Sequence, residues 1–150
     1  MVKVYLDIKE MGNVLDNIDT LGEKIVTNVA IDLQANMKTA TYEGKPIVDH
    51  GRLAGSWTIF DEGPLEKTVA SSANYADYVN SGTGIYGPYK TPIVHPTIGK
   101  KFAFQVNGKM VYTNIIKGIK PRRFVERGME KTSNRIPELV IQSINQAKLG

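Results

Sequence analysis

The residues that could run a reaction in this 150-residue chain are few and scattered. His50 and His95 are its two histidines, each in a loop-like stretch with no Cys, His or carboxylate two to four residues further on. A zinc centre takes three or four such ligands at matched spacing, so neither histidine predicts a metal site. For acyl transfer, Ser56 or Ser81 needs a histidine base held by a third group, and no Gly-x-Ser-x-Gly elbow exposes either one. Both read as surface polar residues. Asp61-Glu62 is a pair of adjacent carboxylates in a turn-forming cluster, where neighbouring side chains point apart; it reads as a solvated corner. Gly82-Thr83-Gly84-Ile85-Tyr86-Gly87 has the glycine spacing of a phosphate-cradling loop, but it follows a helix-like turn rather than a strand and lacks the Lys-Ser/Thr that completes one. The expectation is a non-enzyme with no catalytic residue, metal or cofactor.

Composition narrows the class. With no cysteine, the fold must rest on packing and hydrogen bonding, which suits a reducing cytoplasm. The first residues, Met-Val-Lys-Val-Tyr-Leu-Asp, form no apolar signal region, and nowhere do ~18 apolar residues run together. A soluble protein without a membrane span or an export signal is expected, with residues 1–150 forming one domain. The net charge of +4 is unevenly spread: residues 1–89 hold 7 Lys and Arg against 12 Asp and Glu, and residues 90–150 hold 12 against 3. A −5 part and a +9 part are compatible with solvated faces, with nucleic-acid contact, or with head-to-tail assembly in which the acidic part of one copy meets the basic part of the next.

The elements follow from periodicity. Val2, Val4, Leu6 and Ile8 alternate with Lys3, Tyr5 and Asp7, predicting a half-buried strand. Asn13 is placed to cap a helix with Asp16 in its first turn. Its apolar stripe is Leu15, Ile18, Leu21, Ile25, Val29, Leu33 and Met37, with Asp19, Glu23, Lys24, Asn28 and Asp32 assigned to the other positions and Gly22 its weakest point. A helix to about Ala40 spans roughly 40 Å. Thr41 to Gly51 reads as a loop. Ser56–Phe60 and Leu65–Ser71 flank a turn cluster and predict a hairpin; Phe102–Val106 and Lys109–Thr113 flank Asn107-Gly108, the strongest hairpin signal in the chain. Between the hairpins, Ile85 to Lys101 is a Pro- and Gly-rich loop. From Phe124 the spacing is helical again, and Pro137 predicts either a kink or, as favoured here, a break between two helices. The whole predicts an α+β fold: a long N-terminal helix and a C-terminal helix or helices packed on a mainly antiparallel sheet of four to five strands.

Asn74 to Gly84 carries the densest pattern. Tyr75, Tyr78 and Val79 fall on one face of a short helix that Asn74 can cap and Gly82 can end in left-handed backbone, leaving the tyrosines as core or as interface anchors. Lys117, Lys120, Arg122, Arg123 and Arg127 form a basic cluster able to neutralise phosphates, though no zinc finger, RNP motif or recognition helix accompanies it.

Three segments stand in a fixed order: Gly51-Arg52-Leu53-Ala54-Gly55-Ser56, then Tyr75-Ala76-Asp77-Tyr78-Val79-Asn80-Ser81-Gly82-Thr83, then Lys120-Pro121-Arg122-Arg123-Phe124-Val125. Together they resemble the tail-completion, or head-tail joining, family of long-tailed bacteriophages, with its Thr-Gly-x-Leu-x-x-Ser, Tyr-Ala-x-Tyr-Val-Glu-x-Gly-Thr and Pro-Phe elements. His50 stands where threonine is usual and Asn80 where glutamate is usual, and Arg122-Arg123 separate Pro121 from Phe124. The resemblance implies a virion protein of the phage neck, made in the host cytoplasm and assembled as a homo-oligomeric ring joining head to tail. Its implied partners are head-completion, tail terminator or tail tube proteins, with non-specific contact to genomic DNA through the basic cluster. On this resemblance Gly51, Leu53, Ser56, Tyr75, Tyr78, Val79, Gly82, Thr83, Gly84, Pro121 and Phe124 are interface or fold-anchor residues, and Ile85 to Lys101 is an arm that orders on assembly. A tail terminator ring or a small basic nucleic-acid-binding domain are the alternatives.

Overall fold

The computed structural model describes residues 1–5, 17–46 and 51–148. The parts of the expected first strand from Leu6 to Ile8, the Asn13 cap, Leu15, Asp16 and His50 lie outside the described residues. The fold is α+β, with an N-terminal helix, a C-terminal helix and antiparallel sheets of two or three strands. The chain divides into two compact units: unit 1 is residues 1–74 with 124–150, and unit 2 is Tyr75–Arg123.

In unit 1, β1 (Val2–Tyr5), β4 (Trp57–Gly63) and β5 (Glu66–Ser71) form one sheet in the order β1-β5-β4. The register sets Ile59 and Val2 on either side of Val69, so one face collects Val2, Ile59 and Val69, joined by Trp57. Helix α1 (Asn17–Lys38) covers that sheet, and Gln34 Nε2 donates to the Trp57 carbonyl at 2.8 Å. The expected hairpin is present but longer on its first arm, because Asp61 pairs with Lys67 and a bulge between Asp61 and Gly63 absorbs the extra residue. Among the described residues the sheet has three strands rather than four or five, since the second hairpin pairs only with itself.

Thr41 to Gly51 departs from a plain loop at its start, and residues 47–50 lie outside the described residues. β2 (Thr41–Tyr42) and β3 (Lys45–Pro46) make a minimal hairpin in which Glu43 and Gly44 both take positive φ, 52° and 74°, the geometry of a two-residue turn. At the other end, Gly51 at φ 71° leads into the single turn α2 (Arg52–Gly55).

Helix α4 (Phe124–Lys148) is continuous through Pro137, against the expected break. Phe124, Gly128, Thr132, Leu139 and Ser143 are buried along one face on both sides of the proline, while Pro137 itself faces outwards. Packing of the whole stripe on α1 offsets the one hydrogen bond the proline removes.

The α1–α4 seam corrects the polar assignments in α1. Lys24, Asn28, Asp32 and Asn36 recur every four residues and meet α4 in antiparallel order. Lys24 Nζ donates to the Gln146 carbonyl at 3.4 Å, and Asn28 Nδ2 to Ser143 Oγ at 2.8 Å. Buried Asp32 accepts from Thr132 Oγ1 at 2.9 Å and Asn36 Nδ2 at 3.0 Å, and pairs with the Arg135 guanidinium. The stripe beside this row is Val26, Val29, Ala30, Leu33 and Met37, all buried, with Gly22 buried at its start rather than merely weak. Asp32→Ala strands three donors around a buried vacancy and should cost about 3 kcal/mol, against about 1 kcal/mol for Asn28→Ala at the more open end; urea unfolding of both variants with an unchanged m-value measures the difference.

Candidate functional site

Unit 2 is built on a ribbon. β7 (Phe102–Val106) and β8 (Lys109–Thr113) pair from Phe102↔Thr113 to Val106↔Lys109, with Asn107 and Gly108 at φ 49° and 78° in the turn, as the Asn-Gly step predicts. Beyond a bulging loop the ribbon resumes as β6 (Ile93–Val94) against β9 (Ile115–Ile116), linked by His95 N–H to the Asn114 carbonyl at 3.0 Å. Ile85 to Lys101, expected as a loop, therefore carries some local structure. It opens in a 3-10 turn, Gly84–Tyr86, contributes β6, and is pinned where the His95 ring meets Phe102 at 4.9 Å, tilted by 57°. The His95 Nδ1 accepts from the Thr97 N–H at 3.1 Å, which gives that ring a turn-stabilising role.

The Tyr-Ala-x-Tyr-Val segment and the Lys-Pro-Arg-Arg segment, distant in sequence, are clasped together. Helix α3 (Ala76–Ser81) begins after Tyr75 with no side-chain cap, so Asn74 does not cap it; Gly82 ends it at φ 80° and ψ 171°, a positive-φ but extended backbone rather than a left-handed one. That direction lets Thr83 N–H reach the Ile119 carbonyl at 2.9 Å and Ile85 N–H the Lys117 carbonyl at 2.8 Å. The Ile119 N–H returns to Thr83 Oγ1 at 3.1 Å, and the N–H groups of Arg122 and Arg123 cap α3 through the Val79 and Asn80 carbonyls at 3.1 and 3.0 Å. The strands of the clasp touch backbone to backbone: a Cβ on Gly84 would lie 2.1 Å from the Lys117 carbonyl oxygen, and one on Gly118 2.1 Å from that of Thr83. Gly87, the last glycine of the Gly82 to Gly87 run, closes against Gly82 and Thr83; Gly118 carries no sequence signal beyond its glycine identity.

The remaining site residues separate. Tyr78 is exposed and Tyr75 and Val79 are half-buried, so Tyr78 is no core residue. With Pro88, Tyr89, Pro92 and Ile93, Tyr78 lines an open groove of about 490 Å³ floored by Gly82 to Gly84. Leu53 and Phe124 belong to the core of unit 1, where Phe124 meets Trp57 edge-on at 6.0 Å. Ser56 Oγ donates to the Leu53 carbonyl at 2.6 Å and lies 2.6 Å from Ser71 Oγ, a structural hydroxyl pair; Ser81 Oγ donates to Asp77 Oδ1 at 3.0 Å. Among the basic cluster, Lys117, Lys120, Arg122 and Arg123 lie in unit 2, whereas Arg127 lies in unit 1 and donates to the Thr41 carbonyl at 2.8 Å. Among the described residues no three His, Asp or Glu side chains gather at metal-binding distance.

Burial separates the two units most sharply. Among the described residues every buried hydrophobic side chain lies in unit 1; within unit 2 the buried residues are Asn80, Gly82 and Gly87. Unit 2 instead exposes fourteen of the twenty-one large hydrophobic side chains that lie open among the described residues. It also carries eight Lys and Arg against Asp77 alone, with no acidic residue from Tyr78 to Val125. Compared with protein-family models, curated proteins and solved structures, the chain gives no match.

Gly84→Ala or Gly118→Ala combines positive-φ strain with a backbone collision and should cost about 3 kcal/mol or more, whereas Gly108→Ala, with open space beside it, should cost about 1 kcal/mol; hydrogen exchange at the Thr83 and Ile85 amides reports the difference. The Asp61-Glu62 corner yields a pH prediction. The buried Lys67 ammonium donates to Asp61 Oδ1 at 2.7 Å, and this bond, helped by its charge and the Gly63 N–H, holds the exposed Asp61 carboxyl below its ordinary 3.8. A depressed folded value favours the ionised form, so the stabilisation is complete above the ordinary carboxyl range and lost as pH falls through the lower one. Asp61→Asn should lower Tm at neutral pH, and the gap to the parent chain should close on acidification below 3.8.

Proposed function

We propose that this chain is a structural virion protein of the bacteriophage neck, one copy among several in a ring that joins the DNA-filled head to the tail. It acts by protein-protein binding, with no bond made or broken. The observation that carries the reading is a unit with no buried apolar side chain of its own that turns fourteen large hydrophobic ones outwards. A free monomer gains little from such a surface; a subunit whose apolar residues are covered on assembly needs one. The resemblance of the Gly51–Ser56, Tyr75–Thr83 and Lys120–Val125 segments to the tail-completion family supports the same reading, since the second and third segments meet in the clasp that holds this unit together.

A tail terminator ring would use the same kind of surface. The nucleic-acid reading draws on one observation, the acid-free run from Tyr78 to Val125. It is weaker because the ribbon strands β7 and β8 expose mainly apolar groups, which a phosphate backbone does not cover. Labelled antibody against this chain, imaged on purified particles of the phage that encodes it, should decorate the neck, and particles lacking the gene should accumulate as separate filled heads and tails. Label confined to the distal tail, or joined particles without the gene, refutes the neck role.

A further inference from the structure

Helix α4 carries two apolar stripes. The first is the buried one against α1. The second starts one residue later, about 100° round the helix: Met129, Ile136, Val140 and Ile144, with Ile141 beside them. Met129, Ile136 and Ile141 are 46%, 41% and 59% exposed. The charged residues bordering this stripe from Glu126 to Ile144 are Glu126 and Glu130, with no Lys or Arg on the face itself. Its length from Met129 to Ile144 is about 22 Å.

The β7–β8 ribbon presents the opposite charge. Alternation places Phe104, Val106 and Val111 on one of its faces together with Lys109, and all four are exposed. Lys100 and Lys101 enter at its open end, and no carboxylate lies anywhere in β6 to β9 or the loops between them. Five residues per strand give a face about 17 Å long. A two-stranded ribbon is marginal in water until a face is covered.

We propose that this ribbon face docks on the second stripe of α4 in a neighbouring copy of the chain. The contact is heterologous: each subunit offers its ribbon to one neighbour and its α4 stripe to the other, the kind of contact that makes a ring when its rotation closes. A ribbon face short enough to lie within the stripe, apolar centres and opposite charges select a second copy as the occupant. The proposal rests on the ring reading above and names the two surfaces that the ring uses.

Two variants test it by complementation. Val106→Glu with Val111→Glu disables the ribbon, and Met129→Lys with Ile136→Lys disables the stripe; all four positions are exposed, and hydrogen exchange at the Thr83 and Ile85 amides verifies that the clasp persists. Sedimentation of the parent chain should show association that grows with concentration, each variant alone should associate at least tenfold more weakly, and an equimolar mixture should stop at a 1:1 dimer through its one intact pair of faces. Should the ribbon variant lose its clasp, Lys109→Glu paired with Glu130→Lys replaces the test, the single changes weakening association and the double change restoring it.

The proposal is overturned by a parent chain that stays monomeric to about 1 mM, where a millimolar contact is half formed. It is also overturned by a mixture that remains monomeric, by a variant that associates as the parent does, or by protection of the α4 stripe in the monomer. Binding of a short DNA duplex by the ribbon without self-association would assign the surface to nucleic acid instead. Antibody labelling of virions remains an independent readout: head-to-tail association with no label at the neck removes the neck role, and neck label without self-association removes this contact.

Discussion

Unit 2 holds its shape by backbone meeting backbone, and most of its other properties follow from that constraint. Two chain segments bond through main-chain N–H and C=O groups at a separation where even a methyl group at Gly84 or Gly118 would overlap a carbonyl. Hydrogen bonds made this way satisfy the polar backbone but bury little apolar area. The unit's hydrophobic side chains are consequently left outside, on the ribbon and the segment before it. A clasp of glycines thus does the work that a small hydrophobic core does elsewhere, and the apolar residues stay exposed.

Unit 1 solves the opposite problem. Its sheet and two long helices bury Trp57, Phe124, Val69 and the α1 stripe, so stability is available from packing. What packing alone leaves loose is the register of two long helices, since an apolar stripe can slide by a turn. The four-residue row Lys24, Asn28, Asp32, Asn36 meets its partners on α4 in one antiparallel register, and a slip would bury Asp32 away from Thr132 and Arg135. Burying a carboxylate without partners is costly, so the seam disfavours the slipped arrangements more than it stabilises the observed one. The same register exposes the second α4 stripe with its glutamates.

Much of this was legible locally. The alternation of Val2 to Tyr5, the amphipathic spacing of α1 and the Asn107-Gly108 turn are each encoded within a few residues, because strand, helix and hairpin geometry depend on near neighbours. Where reading failed, the deciding partner was remote. Pro137 lies inside a helix because residues on both sides of it pack on α1; Asp32 and Asn28 were placed off the stripe because their partners are a hundred or more residues away. Arg127 sits in sequence with the basic cluster but is occupied by the Thr41 carbonyl. Glu43 carries the positive φ of a hairpin turn without the usual asparagine, so composition hid β2 and β3.

For the site, sequence alone determined the parts: two tyrosines and a glycine stop after one helical turn, a Pro-Arg-Arg segment ahead of the last helix, and an acid-free stretch between them. These are matters of residue type and short-range spacing. Tertiary structure decided that the glycine stop and the segment before Pro121 lie against each other, that Gly118 is as constrained as Gly84, and that the intervening hydrophobic residues face outwards. A hydrophobic pattern states which side chains gain from leaving water, but not which surface removes them from it; in unit 2 the backbone geometry leaves them exposed.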